Sequence, residues 1–192
     1  MKQKYQQDYR IYTTVDDNGK IKDHAEYIGP RLRFLQAPIP RHRGQRLALA
    51  GVCLEVLLIL LLLPLLQRNH LSSVFYGVLP HILTLVPLWF ALQGMLPALR
   101  LKEPLTREQA DAIANGGITC PPIALGFTAA ASIGSCLWLF LFSHGAAVTA
   151  DRIFLGCNLL AVVINLLLLK ARPSFATAVE PASDAKSPSK SL

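Results

Sequence analysis

Residues 47–66 read LALAGVCLEVLLILLLLPLL, an apolar run with one charged side chain, Glu55, well inside it. A helix that crosses the hydrocarbon core of a bilayer needs about 20 mostly apolar residues. Three further runs of this kind follow, at 74–96, 122–142 and 153–169. Four runs in a chain of 192 residues, 52% of them hydrophobic, predict an all-α integral membrane protein with a four-span helix bundle over residues 47–170.

Positive charge is concentrated in alternate segments of the chain. Residues 1–46 carry 10 Lys and Arg, the connection after the second run carries 3, and the chain after the fourth run carries 4, whereas the other two connections carry 1 each. Basic segments stay on the cytoplasmic side. This split of 17 to 2 predicts that both termini are cytoplasmic, and we expect the plasma membrane as the location. The net charge of +7 then indicates attraction to anionic lipid and not to nucleic acid.

The polar region 1–46 contains the pattern of a β-hairpin. Residues 10–15 are rich in Tyr, Ile, Thr and Val, the turn residues DDNG occupy 16–19, and a second strand follows at about 20–28. An isolated hairpin is only marginally stable in water. We therefore expect the hairpin at about 10–28 to contact a second copy, the cytoplasmic loop, the membrane or another protein. A partly ordered tail is the alternative.

Five arginines lie between the hairpin and the first apolar run. They are Arg31, Arg33, Arg41, Arg43 and Arg46. Basic clusters beside a membrane attract anionic headgroups with about 1 kcal/mol per charge. These side chains are therefore predicted to bind lipid headgroups, although a topology signal explains the same residues.

The connection after the second run, LTREQADAIANGG at 105–117, predicts a short helix at about 106–115. Thr106 can cap its first turn and Gln109 can complete a capping box, while the Asn-Gly-Gly sequence at 115–117 is expected to end it. This helix is a connector or a docking site for the hairpin.

The end of the chain has no apolar periodicity. Residues 171–192 are rich in Ser, Ala and Pro. Such a composition does not supply enough apolar surface to offset the entropy of ordering the chain. The sequence therefore predicts a disordered cytoplasmic tail.

The most informative polar side chains inside the predicted spans are Glu55, His81, Asn158 and Asn165. A rise of 1.5 Å per residue places Glu55 and Asn165 at similar depths, and it does the same for His81 and Asn158. A charged carboxylate inside a bilayer costs several kcal/mol unless it meets a partner or takes a proton. We therefore expect two polar layers, Glu55 with Asn165 and His81 with Asn158. Their role is either helix packing or a proton or cation relay.

Small residues and prolines mark two of the helices. Gly126, Ala130 and Gly134 recur every four residues in the third run, which predicts a stripe where backbones approach closely. Pro80 and Pro87 in the second run free backbone carbonyls and predict kinks.

No catalytic or metal-binding motif occurs in the sequence. HExxH, GxSxG, the P-loop and GxGxxG are absent, and His, Cys and carboxylate residues are not clustered at ligand spacing. We therefore predict a non-enzymatic protein without catalytic residues, metal or cofactor. The segment GVCLEV, residues 51–56, resembles small multidrug resistance transporters around Glu55. The long basic N-terminal region departs from that family, and the chain is not assigned to it.

Two functions remain after these exclusions. The first is an accessory, scaffold or sensor subunit that binds a protein partner, or a second copy, through the N-terminal hairpin. The alternative is a small proton-coupled transporter or channel-like oligomer that uses Glu55. The first function depends on the hairpin, and the second depends on the buried carboxyl group.

Overall fold

The structure is a computed structural model that describes residues 3–15, 20–66, 75–142 and 149–179. This part of the chain is mostly helical and begins with a small β-hairpin. The helices are α1 (Arg41–Leu66), α2 (Phe75–Leu83), α3 (Leu85–Arg100), α4 (Arg107–Ala114), α5 (Cys120–Leu137) and α6 (Thr149–Ala171). The strands are β1 (Tyr9–Val15), β2 (Ile21–Tyr27), β3 (Leu32–Phe34) and β4 (Thr177–Val179).

Four helical segments within the described residues are long and apolar enough to cross a membrane. Only 28% to 39% of the most apolar stretch of each segment is buried. Large apolar side chains such as Leu61, Trp89 and Ile133 are exposed, whereas Glu55 and Asn158 are buried. Polar residues inside an apolar outer surface are the reverse of the arrangement in a soluble protein. The fold therefore indicates a membrane protein, as the four apolar runs predict.

The first helix begins before its apolar run. It starts at Arg41 and includes Arg43 and Arg46, because the backbone N–H groups of Arg43 and Gly44 donate to the carbonyl of Pro40. The predicted start at residue 47 marks where hydrocarbon-compatible residues begin, not where helical hydrogen bonding begins. The fourth helix also extends beyond its predicted bounds, 153–169, to Thr149–Ala171.

The second span is broken where the prolines predict a kink. The regular helix is interrupted between α2 and α3 at Thr84, which lies between Pro80 and Pro87. Proline lacks a backbone N–H, so Pro87 leaves the carbonyl four residues before it without its usual helical donor. The Thr84 hydroxyl donates a 2.9 Å hydrogen bond to the Pro80 carbonyl, which also accepts from the backbone N–H of Thr84 at 3.1 Å.

The loop helix forms with its predicted cap, but it does not end as predicted. Thr106 accepts from the backbone of Gln109, and the Gln109 side chain accepts from the backbone of Thr106. The Asn-Gly-Gly sequence does not stop the helix, because residues Asn115–Thr119 form a π-helical turn that leads directly into α5. The glycines serve packing instead, since a Cβ built on Gly116 would lie 2.6 Å from the Cα of Gly94.

The helices pack as a ring around a common core. Helix α1 packs against α6 and α3, and α5 packs against α6, α2 and α3. The main core cluster includes Val52, Leu88, Ala91 and Ala124. A smaller cluster around Phe154 lies toward the other end of α1 and the start of α6.

The N-terminal hairpin pairs β1 and β2 antiparallel, from Tyr9 opposite Tyr27 to Val15 opposite Ile21. These bounds agree with the predicted strands to within a residue or two. The predicted turn at 16–19 lies outside the described residues.

The chain after α6 corrects the prediction of disorder from residue 171. Residues Arg172–Phe175 form a 3₁₀ turn, and β4 pairs antiparallel with β3 to make a second small sheet. Phe175 is fully buried, and a Cβ on Gly117 would overlap its ring. Burial of the Phe175 side chain therefore stabilises a defined conformation of this segment, despite its polar composition. Residues 180–192 lie outside the described part of the chain.

Candidate functional site

The first polar layer joins α1, α5 and α6. The Asn165 amide donates a 2.6 Å hydrogen bond to Glu55 Oε1, and both side chains are fully buried. The same amide donates to the Ala161 carbonyl at 3.0 Å and lies 3.5 Å from Thr128 Oγ1. The structure thus brings together the pair expected from equal depth, with a hydroxyl from the third span beside it.

The second polar layer joins α2 and α6. His81 Nδ1 lies 2.8 Å from Asn158 Oδ1, so the imidazole donates from this nitrogen to the amide oxygen. The His81 ring also packs on Phe154, with ring centroids 4.8 Å apart. Both polar side chains are buried. This is the second expected pair, and it lies close to the break at Thr84.

Each layer also contains buried polar atoms that accept or donate no hydrogen bond within the described residues. Within the described residues, Glu55 Oε2, His81 Nε2, Asn158 Nδ2 and Asn165 Oδ1 are buried and have no hydrogen-bond partner. Buried polar atoms of this kind usually bind ordered water or a ligand. Chemically, the Glu55 carboxyl can take or release a proton, and His81 Nε2 can accept one. The described residues contain no group of three His, Cys, Asp or Glu that could hold a metal ion.

The small-residue stripe of the third span was predicted to be a packing surface, but two of its three residues are exposed. Gly126 and Ala130 are exposed, and a Cβ on Gly126 would meet no atom of another described residue within 4 Å. Only Gly134 of the three is buried. The inward face of α5 carries Thr128 and a pair of serines instead, and these hydroxyls donate to carbonyls of their own helix. The sequence pattern identified the right helix and the wrong face.

Asp151 and Gln45 are among the buried polar residues that were not predicted. Asp151 is fully buried at the start of α6, and Gln45 near the start of α1 donates a 3.1 Å hydrogen bond to the Ser174 carbonyl. Asp151 precedes Asn158 by seven residues, as Asn158 precedes Asn165, so all three lie near one helix face. That spacing was a usable signal, but the predicted span began at residue 153 and left Asp151 outside.

The hairpin has one largely apolar face and one polar face. The register places Tyr9, Ile11, Ile21, Ala25 and Tyr27 on the first face, where the hydrogen-bonded pair of Thr13 and Asp23 lies between Ile11 and Ile21. Ile11 and Ile21 are each 69% exposed, so no described part of the protein covers them. The opposite face carries polar and charged side chains, among them Arg10, Lys22 and Glu26.

The base of the hairpin is attached to the loop helix. In the 3₁₀ turn Gln3–Asp8, Lys4 Nζ and the Tyr5 hydroxyl each donate a 2.8 Å hydrogen bond to Asp111 Oδ2. The hydrogen bond from Lys4 holds the pKa of Asp111 below its usual range, and the same pair raises the pKa of Lys4. The Tyr27 hydroxyl accepts from the backbone N–H of Arg107 at 2.9 Å. The loop helix is therefore a docking site for the hairpin, which was one of the two expectations.

The five arginines predicted to bind headgroups divide into two kinds. Arg41 is partly buried: its guanidinium forms a 2.6 Å salt bridge with Glu103 and lies 3.8 Å from the centre of the Phe34 ring. The side chains of the other four are exposed: Arg31, Arg33, Arg43 and Arg46. Arg41 therefore joins the first span to the loop after the second, which its basic sequence context did not predict.

Comparison with protein-family models, with curated proteins and with solved structures found no match for this chain.

Proposed function

We propose that this chain is a non-enzymatic integral membrane protein that crosses the plasma membrane four times, with both termini in the cytoplasm, and binds a protein partner through its N-terminal hairpin. It is an accessory, scaffold or sensor subunit in this proposal. The single observation that carries it is the exposed apolar face of the hairpin. Ile11 and Ile21 are each 69% exposed on a two-stranded sheet that pairs with no other described strand.

Exposed apolar side chains on adjacent strands are typical of interaction surfaces. Burial of an isoleucine side chain contributes about 1.5–3 kcal/mol. A partner that covers Ile11 and Ile21 therefore gains several kcal/mol, and it can also pair with either free strand edge. The apolar face gives the affinity, and the strand edges give the orientation.

The attachment of the hairpin to the loop helix supports the same proposal. Asp111 receives hydrogen bonds from Lys4 and Tyr5, and Tyr27 accepts one from the backbone of Arg107. A surface that is held in place before it binds loses less entropy on binding. The attachment also connects a partner on the hairpin to the helix that continues into the third span, which is the connection a sensor or scaffold subunit needs.

The test is affinity capture from detergent-solubilised membranes with three versions of the tagged chain: wild type, Ile11→Asp and Thr14→Asp. Both substitutions put a carboxylate at an exposed position of β1, but only Ile11 lies on the apolar face. We expect a protein retained by the wild type and by Thr14→Asp to be lost from Ile11→Asp. Equal retention by all three, or by a chain without residues 1–30, contradicts the proposal. The mass of the captured complex distinguishes a second copy from another protein.

A proton-coupled transporter or channel-like oligomer is the second candidate, because Glu55 Oε2 is buried without a partner among the described residues. Its test is reconstitution into liposomes that contain a pH-sensitive dye. Transport predicts proton movement with the wild type and none with a folded Glu55→Gln variant, since glutamine cannot release a proton. Liposomes with wild-type protein that are no more permeable than empty ones contradict this candidate.

A further inference from the structure

A groove of about 320 Å³ lies between the first half of α1 and the last turns of α6, on the outside of the bundle. Its walls are apolar except for one lysine at the end. The lining residues used below are Gly44, Leu47, Gly51 and Leu54 of α1 and Leu167 and Lys170 of α6. Gly51 lets the Leu168 side chain approach α1 closely, since a Cβ built on Gly51 would lie 3.0 Å from a methyl carbon of Leu168.

The length of the groove matches one leaflet of a bilayer. From Gly44 to Leu54 is ten residues, or about 15 Å along the helix axis. The hydrocarbon core of a bilayer is about 30 Å thick, so one leaflet contributes about 15 Å. The groove begins beside the basic residues that precede the apolar run and ends near the middle of the first span.

The groove is an open furrow between two helices. Its volume of about 320 Å³ and its apolar walls leave room for a chain of methylene groups.

The charge at one end of the groove is positive. Lys170 lines that end, and its side chain is exposed and makes no salt bridge within the described residues. Arg43 is exposed one helical turn before Leu47 and so lies over the same end of the groove. Two cations at the end of a leaflet-length apolar groove complement a phosphate headgroup with a chain attached.

We propose that this groove binds one anionic phospholipid, with an acyl chain between α1 and α6 and the headgroup phosphate at Lys170 and Arg43. The proposal rests on the membrane location of the chain and not on the role of the hairpin. It differs from general attraction by the juxtamembrane arginines, because it requires one lipid at one defined position.

The test is native mass spectrometry of the purified full chain in detergent, with added phosphatidylglycerol or phosphatidylcholine of identical acyl chains. We expect the wild type to retain one phosphatidylglycerol in preference to phosphatidylcholine. Lys170→Ala should reduce this preference by about fivefold, which corresponds to about 1 kcal/mol for one basic charge at a headgroup. Lys102→Ala is the control for loss of an exposed lysine outside the groove, and it should behave as the wild type.

A second pair of variants tests the apolar part of the groove. Leu166 and Leu167 are neighbours on α6 and are 47% and 58% exposed, but only Leu167 lines the groove. Leu167→Trp should reduce retention of both lipids, and Leu166→Trp should not. Equal retention of the two lipids by the wild type, or no change in Lys170→Ala and Leu167→Trp, overturns the proposal. A dimer that is lost in Leu167→Trp, without bound lipid, also overturns it by assigning the groove to a second copy.

Discussion

Asn165 on α6 holds the carboxyl group of Glu55 on the neighbouring helix α1. Its amide donates a 2.6 Å hydrogen bond to Glu55 Oε1 and a 3.0 Å hydrogen bond to the Ala161 carbonyl of its own helix. Asn165 is therefore oriented by α6 before it meets α1. This arrangement explains how a carboxyl group is accommodated in an apolar helix, and it predicts unequal effects of two substitutions at Glu55.

Glu55→Gln should leave the stability of the protein nearly unchanged, because glutamine keeps an oxygen that accepts from Asn165. Glu55→Leu should lower the free energy of unfolding by about 1–2 kcal/mol, the scale of interhelical hydrogen bonds in membranes. Thermal unfolding in detergent measures both. Equal destabilisation by the two substitutions would show that this hydrogen bond does not hold the bundle together.

A methyl group at Gly94 should destabilise the fold, whereas one at Gly126 should not. A Cβ on Gly94 would lie 2.6 Å from both the Ala112 carbonyl oxygen and the Gly116 Cα, and backbone atoms cannot move aside cheaply. We expect Gly94→Ala to cost about 1–3 kcal/mol of stability. The methyl group of Gly126→Ala contacts no other described residue, so this variant should be as stable as the wild type or more stable. Thermal unfolding of the two variants side by side tests the assignment of the packing face.

The segment after α6 should contribute strongly to stability through Phe175. This side chain is fully buried, so Phe175→Ala should cost about 3–5 kcal/mol. Val179 in β4 is 61% exposed, and Val179→Ala should change stability by less than about 0.5 kcal/mol. Detergent unfolding curves provide the measurement. A small change in stability in Phe175→Ala would contradict the ordered conformation of this segment and support the prediction of disorder from residue 171.

The attachment of the N-terminal turn to the loop helix should depend on pH. The pKa of Asp111 is lowered in the fold by its hydrogen bond from Lys4, so its contribution is present at neutral pH and is lost as the pH falls below about 4. The pKa of Lys4 is raised, so its contribution is lost only as the pH rises above about 10. The attachment should therefore be constant from about pH 5 to 9.

Hydrogen exchange at residues 5–8, compared between wild type and Asp111→Ala at each pH, measures this attachment. The difference between the two proteins should be largest near neutral pH and disappear in acid. Glu108→Ala changes a carboxylate of the same helix that makes no salt bridge within the described residues, and it should match the wild type. A difference that persists at pH 3 would show that hydrogen bonding by the uncharged groups is sufficient.

The two ends of the chain should lie on the same side of the membrane, in the cytoplasm. The 17-to-2 division of Lys and Arg between alternate segments is the basis of this expectation. The test uses a chain whose own cysteines are replaced and that carries one added cysteine at either terminus. This cysteine should react with a membrane-impermeant thiol reagent only after the membrane is permeabilised. Reaction at one terminus in intact cells contradicts the four-span topology.

Local sequence determined the elements that depend on local physics. The four apolar runs predict the four long helices because the length needed to cross hydrocarbon is fixed. The capping box at Thr106 and Gln109 was predictable because its partners are three residues apart. The pairing of Glu55 with Asn165 was predictable from their similar depth and from the seven-residue spacing that puts Asn158 and Asn165 on one helix face, since the geometry of a helix is constant.

Tertiary structure decided which faces of the helices meet. In a helix of uniformly apolar residues, lipid and core are equally compatible surroundings, so periodicity does not distinguish the inward face. This is why the spacing of Gly126 and Ala130 predicted a packing stripe although both residues are exposed on the bundle surface. The close approach of two backbones occurs instead between Gly94 and Gly116. The burial of Phe175 likewise depends on a pocket formed by residues distant in sequence. Polar composition predicted disorder there, and a single long-range contact outweighed it.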